Sequence, residues 1–277
     1  YDYYVRVVDA AGNVGASAHQ QVTVDTVAPD AAITVTVDNI TVDTGFDNND
    51  FLTSSTSYTL NGTLGAELGA GEYVQVSMDG GATWVYATVS GTRWSYNDTR
   101  TLADGDYRYQ VRVVDQAGNV GGTTTQDVTV DTQAPQYGIT IDSISEDIGQ
   151  SGSDFITMDT SLTINGSLGS ALASDERVQI SLDGGNTWVD ATVTNQRWSY
   201  TDTRDLPDGD YTYQVRIIDQ AGNVGSTSSQ VVTVDTTPPD TVGTVVSYTD
   251  GEGERQGTYG ASVATDDTSP LINGTLN

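Results

Sequence analysis

The segment LADGDYRYQVRVVDQAGNVGGTTTQDVTVDT, from Leu102 to Thr132, decides the expected fold of this chain. Its first half alternates large apolar residues with polar ones: Tyr107, Tyr109, Val111 and Val113 against Arg108, Gln110 and Arg112. A period of two is typical of a strand with one buried face. The AGN that follows puts Gly118 and Asn119 where a tight turn needs residues that tolerate positive φ. We therefore predict two antiparallel strands joined by a hairpin.

The central phrase of this segment occurs three times in the chain. It reads VVDAAGNVG from Val7, VVDQAGNVG from Val113 and IIDQAGNVG from Ile217, and a VTVDT sequence follows each copy. The aspartates of the three copies, Asp9, Asp115 and Asp219, are separated by 106 and 104 positions. A repeat of this length is a whole domain rather than one turn of a solenoid.

One repeat contains seven candidate strands in about 105 residues. They are Ala32–Val37, Ser57–Gly62, Tyr73–Met78, Thr83–Val89, Arg93–Tyr96, Asp106–Val114 and Thr124–Val130. Seven short alternating strands predict an immunoglobulin-like sandwich, and a tyrosine after a tight Asp-Gly turn resembles a tyrosine corner. The expected fold class is all-β, with tandem immunoglobulin-like β-sandwich domains arranged head to tail as an elongated rod.

The repeat divides the chain into four segments. Residues 1–25 match only the last two strands, F and G, of a repeat; residues 26–131 and 132–235 are complete domains; residues 236–277 match the start of a repeat. Each complete domain is long enough to bury its own core, whereas neither fragment is. We expect the natural protein to continue in both directions.

The charge of the chain is strongly one-sided. It has 38 acidic and 10 basic residues and a net charge of −28; no lysine or cysteine is present. This balance argues against nucleic acid and anionic membrane surfaces as partners, and no apolar stretch is long enough for membrane insertion. It favours a cationic partner, although aspartate is also a common turn residue.

The first candidate metal site lies where one domain meets the next. In this topology the end of strand G should approach the F–G hairpin of the following domain, so Asp25 should lie near Asp115 and Asn119, and Asp131 near Asp219 and Asn223. Oxygen ligands without cysteine or histidine select Ca²⁺. Asp9 and Asp235 would belong to junctions that are incomplete in this chain. The alternative is a proline-stiffened linker beside a polar hairpin.

The second candidate site is the acidic loop between strands A and B. VDNITVDTGFDNNDF from Val37 aligns with IDSISEDIGQSGSDF from Ile141, and the shared acids are Asp38, Asp43 and Asp50 with Asp142, Asp147 and Asp154. A glycine two residues after the middle acid lets the loop fold back so that carboxylates converge. The spacing is not that of an EF-hand. The alternative is a solvated acidic loop.

Catalysis has little support in the sequence. His19 is the one histidine, it lies in a fragment, and no copy of it occurs in the other repeats. No set of nucleophile, base and orienting residue is apparent without histidine. Each complete repeat carries two tryptophans, Trp84 and Trp94 in the first, which we expect in the core or at its ends, the alternative being a platform for sugar binding. We predict no enzyme activity.

The motifs DxGxxxxDF, NGTL or NGSL, VQVSxDGGxTW, DGxYxYQVRxxDQAGNVG and VTVDTxxP occur in this order along almost the whole chain. In this order they resemble the bacterial Ig-like repeats of giant type I-secreted adhesins, among them the large non-fimbrial adhesins. The resemblance implies Ca²⁺ bound between and within neighbouring repeats, a secreted or cell-surface location, and a tip that engages host-surface glycans.

Three functions follow from these observations. The first is a calcium-stiffened rod of a bacterial surface adhesin. The second is a glycan-binding module in which the Ig-like domains themselves contact host carbohydrate. The third is a set of accessory domains attached to an enzyme.

Overall fold

The computed structural model describes residues 1–254, 256–260 and 263–277, and all regular structure in these residues is β-strand. Residues 1–25 contain a single antiparallel hairpin, formed by β1 (Asp2–Val8) and β2 (Val14–Gln21). Every residue of both strands is exposed, because only two strands of a sandwich are present. In the described part of the chain no helix has the length and hydropathy needed to cross a membrane.

The first complete domain is a sandwich of two sheets. Its strands are β3 (Asn39–Thr41), β4 (Leu52–Thr53), β5 (Thr59–Thr63), β6 (Glu72–Ser77), β7 (Val85–Tyr86), β8 (Thr88–Ser90), β9 (Arg93–Asn97), β10 (Gly105–Asp115) and β11 (Val120–Val130). One sheet has the order β4-β11-β10-β6-β7 and the other β3-β5-β9-β8.

The second domain repeats this arrangement, and a smaller sheet follows it. Its strands are β12 (Ile139–Ile144), β13 (Ile156–Thr157), β14 (Thr163–Leu168), β15 (Glu176–Ser181), β16 (Val189–Asp190), β17 (Thr192–Thr194), β18 (Arg197–Thr201), β19 (Gly209–Asp219) and β20 (Val224–Val234). The sheet orders are β13-β20-β19-β15-β16 and β12-β14-β18-β17. After them come β21 (Gly243–Asp250), β22 (Gly257–Gly260) and β23 (Leu271–Leu276), in the order β22-β21-β23.

The chain forms two compact units, and the limits of these units differ from the limits of the sequence repeats. The first unit contains Tyr1–Asp142, Ile164–Tyr200 and Thr212–Gln230, and the second contains Ser143–Thr163, Thr201–Tyr211 and Val231–Asn277. The first unit therefore includes the β1–β2 hairpin, the whole first domain, residues 164–200 of the second domain and its β19–β20 hairpin tip.

The core of the first domain is built from the predicted alternation. Tyr109, Val111 and Val113 of β10 are fully buried, whereas Gln110 and Arg112 between them are half-buried. They pack with buried residues of both sheets, including Leu60, Val74, Val76, Trp94, Val128 and Val130. The equivalent positions Tyr213, Val215 and Ile217 of β19 are also buried. The sequence-based prediction of an all-β sandwich is confirmed.

Two predicted strands differ from those observed, and one observed strand was not predicted. In place of Ala32–Val37 the structure has an isolated bridge from Val35 to Leu64, followed by β3. The predicted strand Thr83–Val89 is two strands, because β7 pairs with β6 in one sheet and β8 pairs with β9 in the other. The two-residue β4 pairs parallel with β11 and is too short to produce a periodic pattern.

The tyrosine corner is present in both domains. The Tyr107 hydroxyl donates to the Ala103 carbonyl at 2.8 Å, and the Tyr211 hydroxyl donates to the Pro207 carbonyl at 2.7 Å. These bonds close the turn at the start of β10 and of β19, as the aligned Asp-Gly-Asp-Tyr sequences predicted.

The two tryptophans of each repeat have different environments. Trp94 is 2% exposed and its indole donates to the Thr36 carbonyl at 2.9 Å. Gly62 of the NGTL motif lies against this ring, and a Cβ there would collide with both the ring and the Thr36 carbonyl. Trp84 is half-buried, and the guanidinium of Arg112 lies 3.8 Å from its ring centre. Trp198 and Trp188 repeat the two arrangements.

A buried carboxylate that was not predicted from the sequence joins the two sheets. Asp98 is 1% exposed and accepts hydrogen bonds from Arg100 Nη2 and the Tyr109 hydroxyl, each at 2.6 Å. Burial raises the pKa of Asp98, but the bonds from Arg100 and Tyr109 outweigh that effect and the pKa is lowered overall. Asp202 and Arg204 form the same 2.6 Å contact in the second domain. The repeated Asp-Thr-Arg sequence was the signal for this pair.

We predict that Asp98→Ala destabilises the first domain by about 2–3 kcal/mol at neutral pH, because it leaves Arg100 and the Tyr109 hydroxyl without their acceptor. Asp127→Ala is the control: its ion pair with Arg108 is long, at 3.8 Å, and both side chains are more than half exposed, so the expected change is within about 0.5 kcal/mol. Calorimetry of the full chain measures both.

The Asp98 contribution should depend on pH. A carboxylate whose pKa is lowered by folding stabilises the fold above its unfolded pKa of about 3.9. That contribution is lost as the pH falls through the folded pKa. The difference between the parent and Asp98→Ala should therefore shrink below about pH 4. A difference that stays constant down to pH 2 would contradict the role assigned to this network.

Candidate metal sites at the domain junctions and in the acidic loops

Each hairpin tip is organised by one aspartate. Asp115 Oδ1 accepts the Asn119 main-chain N–H, and Asp115 Oδ2 accepts the Asn119 side-chain amide, both at 2.8 Å. The Asn119 side chain is the main cause of a lowered Asp115 pKa. Asp219 with Asn223 and Asp9 with Asn13 make the same pair of bonds. Each aspartate therefore fixes its turn through two hydrogen bonds to the asparagine.

The structure brings each hairpin tip to the preceding linker. The Asn119 amide donates to the Asp25 main-chain carbonyl at 3.2 Å, and the Asn223 amide donates to the Asp131 carbonyl at 2.8 Å. The linker carboxylates bond to their own chain: Asp25 Oδ1 accepts from Val27 N and Asp131 Oδ1 accepts from Gln133 N. Asp235 makes the same bond, with Thr237 N. The linker thus contacts the hairpin through a main-chain carbonyl, while its carboxylates bond within the linker.

The linker packs against the hairpin through a proline that lies on a hairpin glycine. Pro29 is buried, and a Cβ on Gly121 would lie 2.9 Å from the Pro29 side chain. In the second domain, a Cβ on Gly225 would lie 2.5 Å from the Pro135 carbonyl oxygen, and Pro135 is also buried. The final glycine of AGNVG is therefore needed for the close approach of the linker, a role that sequence reasoning had not assigned.

The acidic loops show one feature twice. In the first acidic loop, residues 42–51, Asp43 Oδ2 accepts from Phe51 N at 3.3 Å; in the second, residues 146–155, Asp147 Oδ2 accepts from Phe155 N at 3.2 Å. The other oxygen of each carboxylate, Oδ1, is buried and has no hydrogen-bond partner within the described residues. A buried unpartnered carboxylate oxygen is costly, so its recurrence calls for an explanation.

The backbone of both loops is strained at matching positions. Val42 and Phe51 have φ of 71° and 61°, and Glu146 and Phe155 have φ of 48° and 61°. Positive φ is rare for such side chains and is found where the surrounding structure needs a particular backbone path. Asp50 and Asp154 each accept a main-chain N–H two residues ahead, from Leu52 and Ile156.

Burial is the main cause of a raised pKa for Asp43, and the negative charges of Asp50 and Asp47 add to it. The bond from Phe51 N acts in the opposite direction without cancelling the effect. The atoms of the loop that could bind a metal are carboxylate and carbonyl oxygens, which suit a hard cation such as Ca²⁺. An unpartnered buried oxygen beside like charges fits a cation there.

Asp38 and Asp142 are not part of these loops, which corrects their sequence-based grouping with the other four acids. Asp38 immediately precedes β3 and accepts from the Thr36 hydroxyl at 2.7 Å; Asp142 lies in β12 and accepts from the Thr140 hydroxyl at 2.7 Å. The reason is that the chain continues along the sheet before it turns. In the residues described here, no group of three or more acidic, histidine or cysteine side chains is placed to hold a metal.

We predict that the effect of Asp43→Asn on stability changes sign with calcium. In chelator the variant should be more stable by about 0.5–1 kcal/mol, because an unpartnered buried charge beside Asp47 and Asp50 is removed. At millimolar calcium a site with a dissociation constant of about 10⁻⁴ M adds about 1.4 kcal/mol to the parent, which exceeds that difference, so the parent should then be the more stable. Thermal melts under both conditions measure this; destabilisation of equal size in both would contradict it.

The fold and these sites define a class: tandem β-sandwich repeats joined by short linkers. A model of the bacterial Ig-like domain matches residues 31–132 and 134–236, so the chain belongs to the bacterial Ig-like domain family. Exoglucanase B of Cellulomonas fimi is 34% identical over 258 residues, covering 88% of this chain and 21% of that protein. The chain thus spans about a fifth of the length of this relative.

Two solved structures are similar with low TM-scores and low sequence identity. Fibronectin(III)-like modules of Clostridium thermocellum CbhA are 14% identical with a TM-score of 0.40, covering 71% of this chain and 94% of that chain. A 1.5-MDa bacterial ice-binding adhesin is 24% identical with a TM-score of 0.33, covering 84% of this chain and 74% of that chain.

Proposed function

We propose that this chain is a calcium-stiffened repeat segment of a secreted bacterial surface adhesin, which holds adhesive tip domains towards host cells. The observation that carries the proposal is the buried, unpartnered Oδ1 of Asp43 and of Asp147 at matching positions of two successive repeats. Structure repeated in adjacent domains is usual for a stalk, whereas the same catalytic site in each domain would be unusual.

The charge of the chain supports a cation as partner. A net charge of −28 opposes compactness unless something neutralises it. The proposed ligands lie in two groups, at the junctions and in the loops. The junction group is Asp25, Asp115 and Asn119, with Asp131, Asp219 and Asn223, and Asp9 and Asp235 at the two further junctions; the loop group is Asp43, Asp50, Asp147 and Asp154. Bound Ca²⁺ would supply positive charge and shared coordination there.

The junction contacts explain why an ion would act on shape. Asn119 and Asn223 already bond the preceding linker, and Pro29 and Pro135 pack on the hairpins. These contacts bring the main-chain carbonyls of Asp25 and Asp131 to the hairpin. In this proposal the carboxylates of linker and hairpin repel each other in the absence of a cation. The linker keeps freedom to bend while that repulsion remains.

The expected energies are small. Extracellular modules bind Ca²⁺ with dissociation constants of about 10⁻⁴ to 10⁻³ M. At roughly millimolar calcium each site then contributes about 0.4–1.4 kcal/mol. That amount is too small to be the main source of the stability of a domain, but it is enough to shift the balance between bent and aligned junctions. Calcium should therefore change the shape of the molecule more than its folding.

We predict that chelator shortens the maximum dimension of the chain in small-angle scattering while the strand content stays constant. Asp131→Ser should lower the number of bound calcium ions by about one and shorten the chain in calcium. Asp127→Ser, on the exposed face of β11, is the matched control and should change neither quantity. Unchanged dimensions with and without chelator would contradict the stalk proposal.

The location and partners follow from the same proposal. A secreted or cell-surface protein meets millimolar calcium, which weak sites require. Type I secretion, closeness to the large non-fimbrial adhesins, and host-surface glycans as partners of the tip rest on the motif resemblance. In this account neighbouring repeats of the same chain are the direct partners of these domains, and the domains have no catalytic role.

A second candidate function, glycan binding by the domains themselves, is favoured by one surface. A groove of about 620 Å³ beside the half-buried Trp84 is lined by Gln110, Arg112 and the threonines at 123–125. Trp188 lines an equivalent groove of about 300 Å³ in the second domain. Similarity to an exoglucanase supports a carbohydrate context, in which these domains would accompany an enzyme.

We predict that, if these grooves bind sugar, Trp84→Ala combined with Trp188→Ala abolishes retention on β-glucan or a glycan array while the fold is kept. Thr99→Ala, at an exposed position that lines neither groove, is the control and should retain binding. Arginine covers one face of each ring, so the groove has to bind sugar at its edge. No retention by the parent chain would eliminate this second candidate.

A further inference from the structure

Two hairpin tips with the same sequence have different surroundings. DQAGNVG occupies Asp115–Gly121 in the first domain and Asp219–Gly225 in the second. Ala117 is exposed, whereas Ala221 is 1% exposed; Asp115 is half-buried, whereas Asp219 is 3% exposed. Sequence cannot cause this difference, because the residues are identical. Something covers the second tip and not the first.

The first acidic loop covers the second tip. The Thr44 hydroxyl donates to the Ala221 carbonyl at 2.5 Å, and the Gln220 side-chain amide donates to Asp50 Oδ2 at 3.1 Å. Gly45, with φ of 98°, lies so close that a Cβ there would collide with the Gln220 carbonyl. Close backbone contact and two hydrogen bonds show a fitted surface.

An aromatic contact extends the covered area. The guanidinium of Arg177 lies 4.0 Å from the ring centre of Phe46 and also pairs with Asp190 at 3.1 Å. Stacking of arginine on an aromatic face is favourable by about 0.5–2 kcal/mol. The contact thus joins the far side of the loop to the sheet that carries the hairpin.

The residues that contact the hairpin tip and the proposed calcium ligands both belong to the first acidic loop. Thr44 follows Asp43 in sequence, and its Oγ1 also accepts from Ser54 N at 2.7 Å, which ties the two sides of the loop together. Asp50 is both a proposed ligand and the acceptor for Gln220. A change in how the carboxylates converge therefore changes how Thr44 and Phe46 are presented.

We infer that the first acidic loop is a coupling element: its residues 44–46 dock on the hairpin tip at 219–225, and the convergence of its carboxylates sets whether they do. This inference rests on the proposed function for the loop ligands. It adds that a site inside one domain governs the contact with the next, in addition to ligands shared at the junction.

The uncovered tip of the first domain carries a surface for a partner of the same kind. Tyr73 and Tyr86 occupy the positions of Arg177 and Asp190, are exposed, and pack edge to face with ring centres 5.1 Å apart. With Gln116 and Ala117 they form a surface equivalent to the one that the first acidic loop covers. Its occupant is the acidic loop of another repeat of this family, since the covering segment at the equivalent tip is such a loop.

Hydrogen exchange of the full chain at saturating calcium tests the coupling, with residues 115–121 as the internal reference for an uncovered tip. In the parent, residues 219–225 should exchange more slowly than residues 115–121. Phe46→Ala, and independently Arg177→Ala, should release residues 219–225 towards the reference rate while the number of bound calcium ions stays that of the parent. Residues 115–121 should not change.

Asp43→Asn and Asp147→Asn form the matched pair, because the second loop does not cover this tip. Asp43→Asn should lose an ion and release residues 219–225; Asp147→Asn should lose an ion and leave residues 219–225 slow. Loss of the ion without release overturns the coupling alone. An unchanged ion count in both variants overturns the proposed calcium sites and the coupling with them. Equal exchange of the two tips in the parent overturns the docking.

Discussion

The hydrogen bonds that one aspartate makes across each hairpin tip determine the arrangement of everything around that tip. Asp115 and Asp219 each bind the main chain and the side chain of the asparagine four residues ahead. That asparagine is then held with its amide towards the preceding linker, and the glycine after it leaves space for the linker proline. Turn, linker and junction are consequently parts of one hydrogen-bonded structure.

Negative charge and close packing act against each other in this chain, and the structure separates them by position. Where a carboxylate is enclosed in the core, as Asp98 is, arginine and tyrosine satisfy it completely. Where carboxylates gather at loops, one oxygen stays unsatisfied in the described structure. The first kind of site stabilises a domain by itself, and the second kind responds to the solution around it.

Much of the fold and part of the site follow from sequence. Long alternating strands such as β10, the tyrosine corner and the meeting of Asn119 with the Asp25 linker are expected from pattern and topology. The two-residue β4 and the position of Asp38 are not, because both depend on pairing with distant strands. The unpartnered oxygen of Asp43 depends on how the whole loop encloses one atom, which no local pattern records.

The substitution of Tyr73 and Tyr86 by Arg177 and Asp190 at otherwise similar positions has a consequence for how such proteins evolve. Phe46 stacks on an arginine that only one of the two domains possesses. Permutation of the modules would place a tyrosine pair beneath it instead. The contact between neighbouring repeats therefore depends on their order along the chain. Recombination that exchanges near-identical repeats is constrained by the side chains of the repeats on either side.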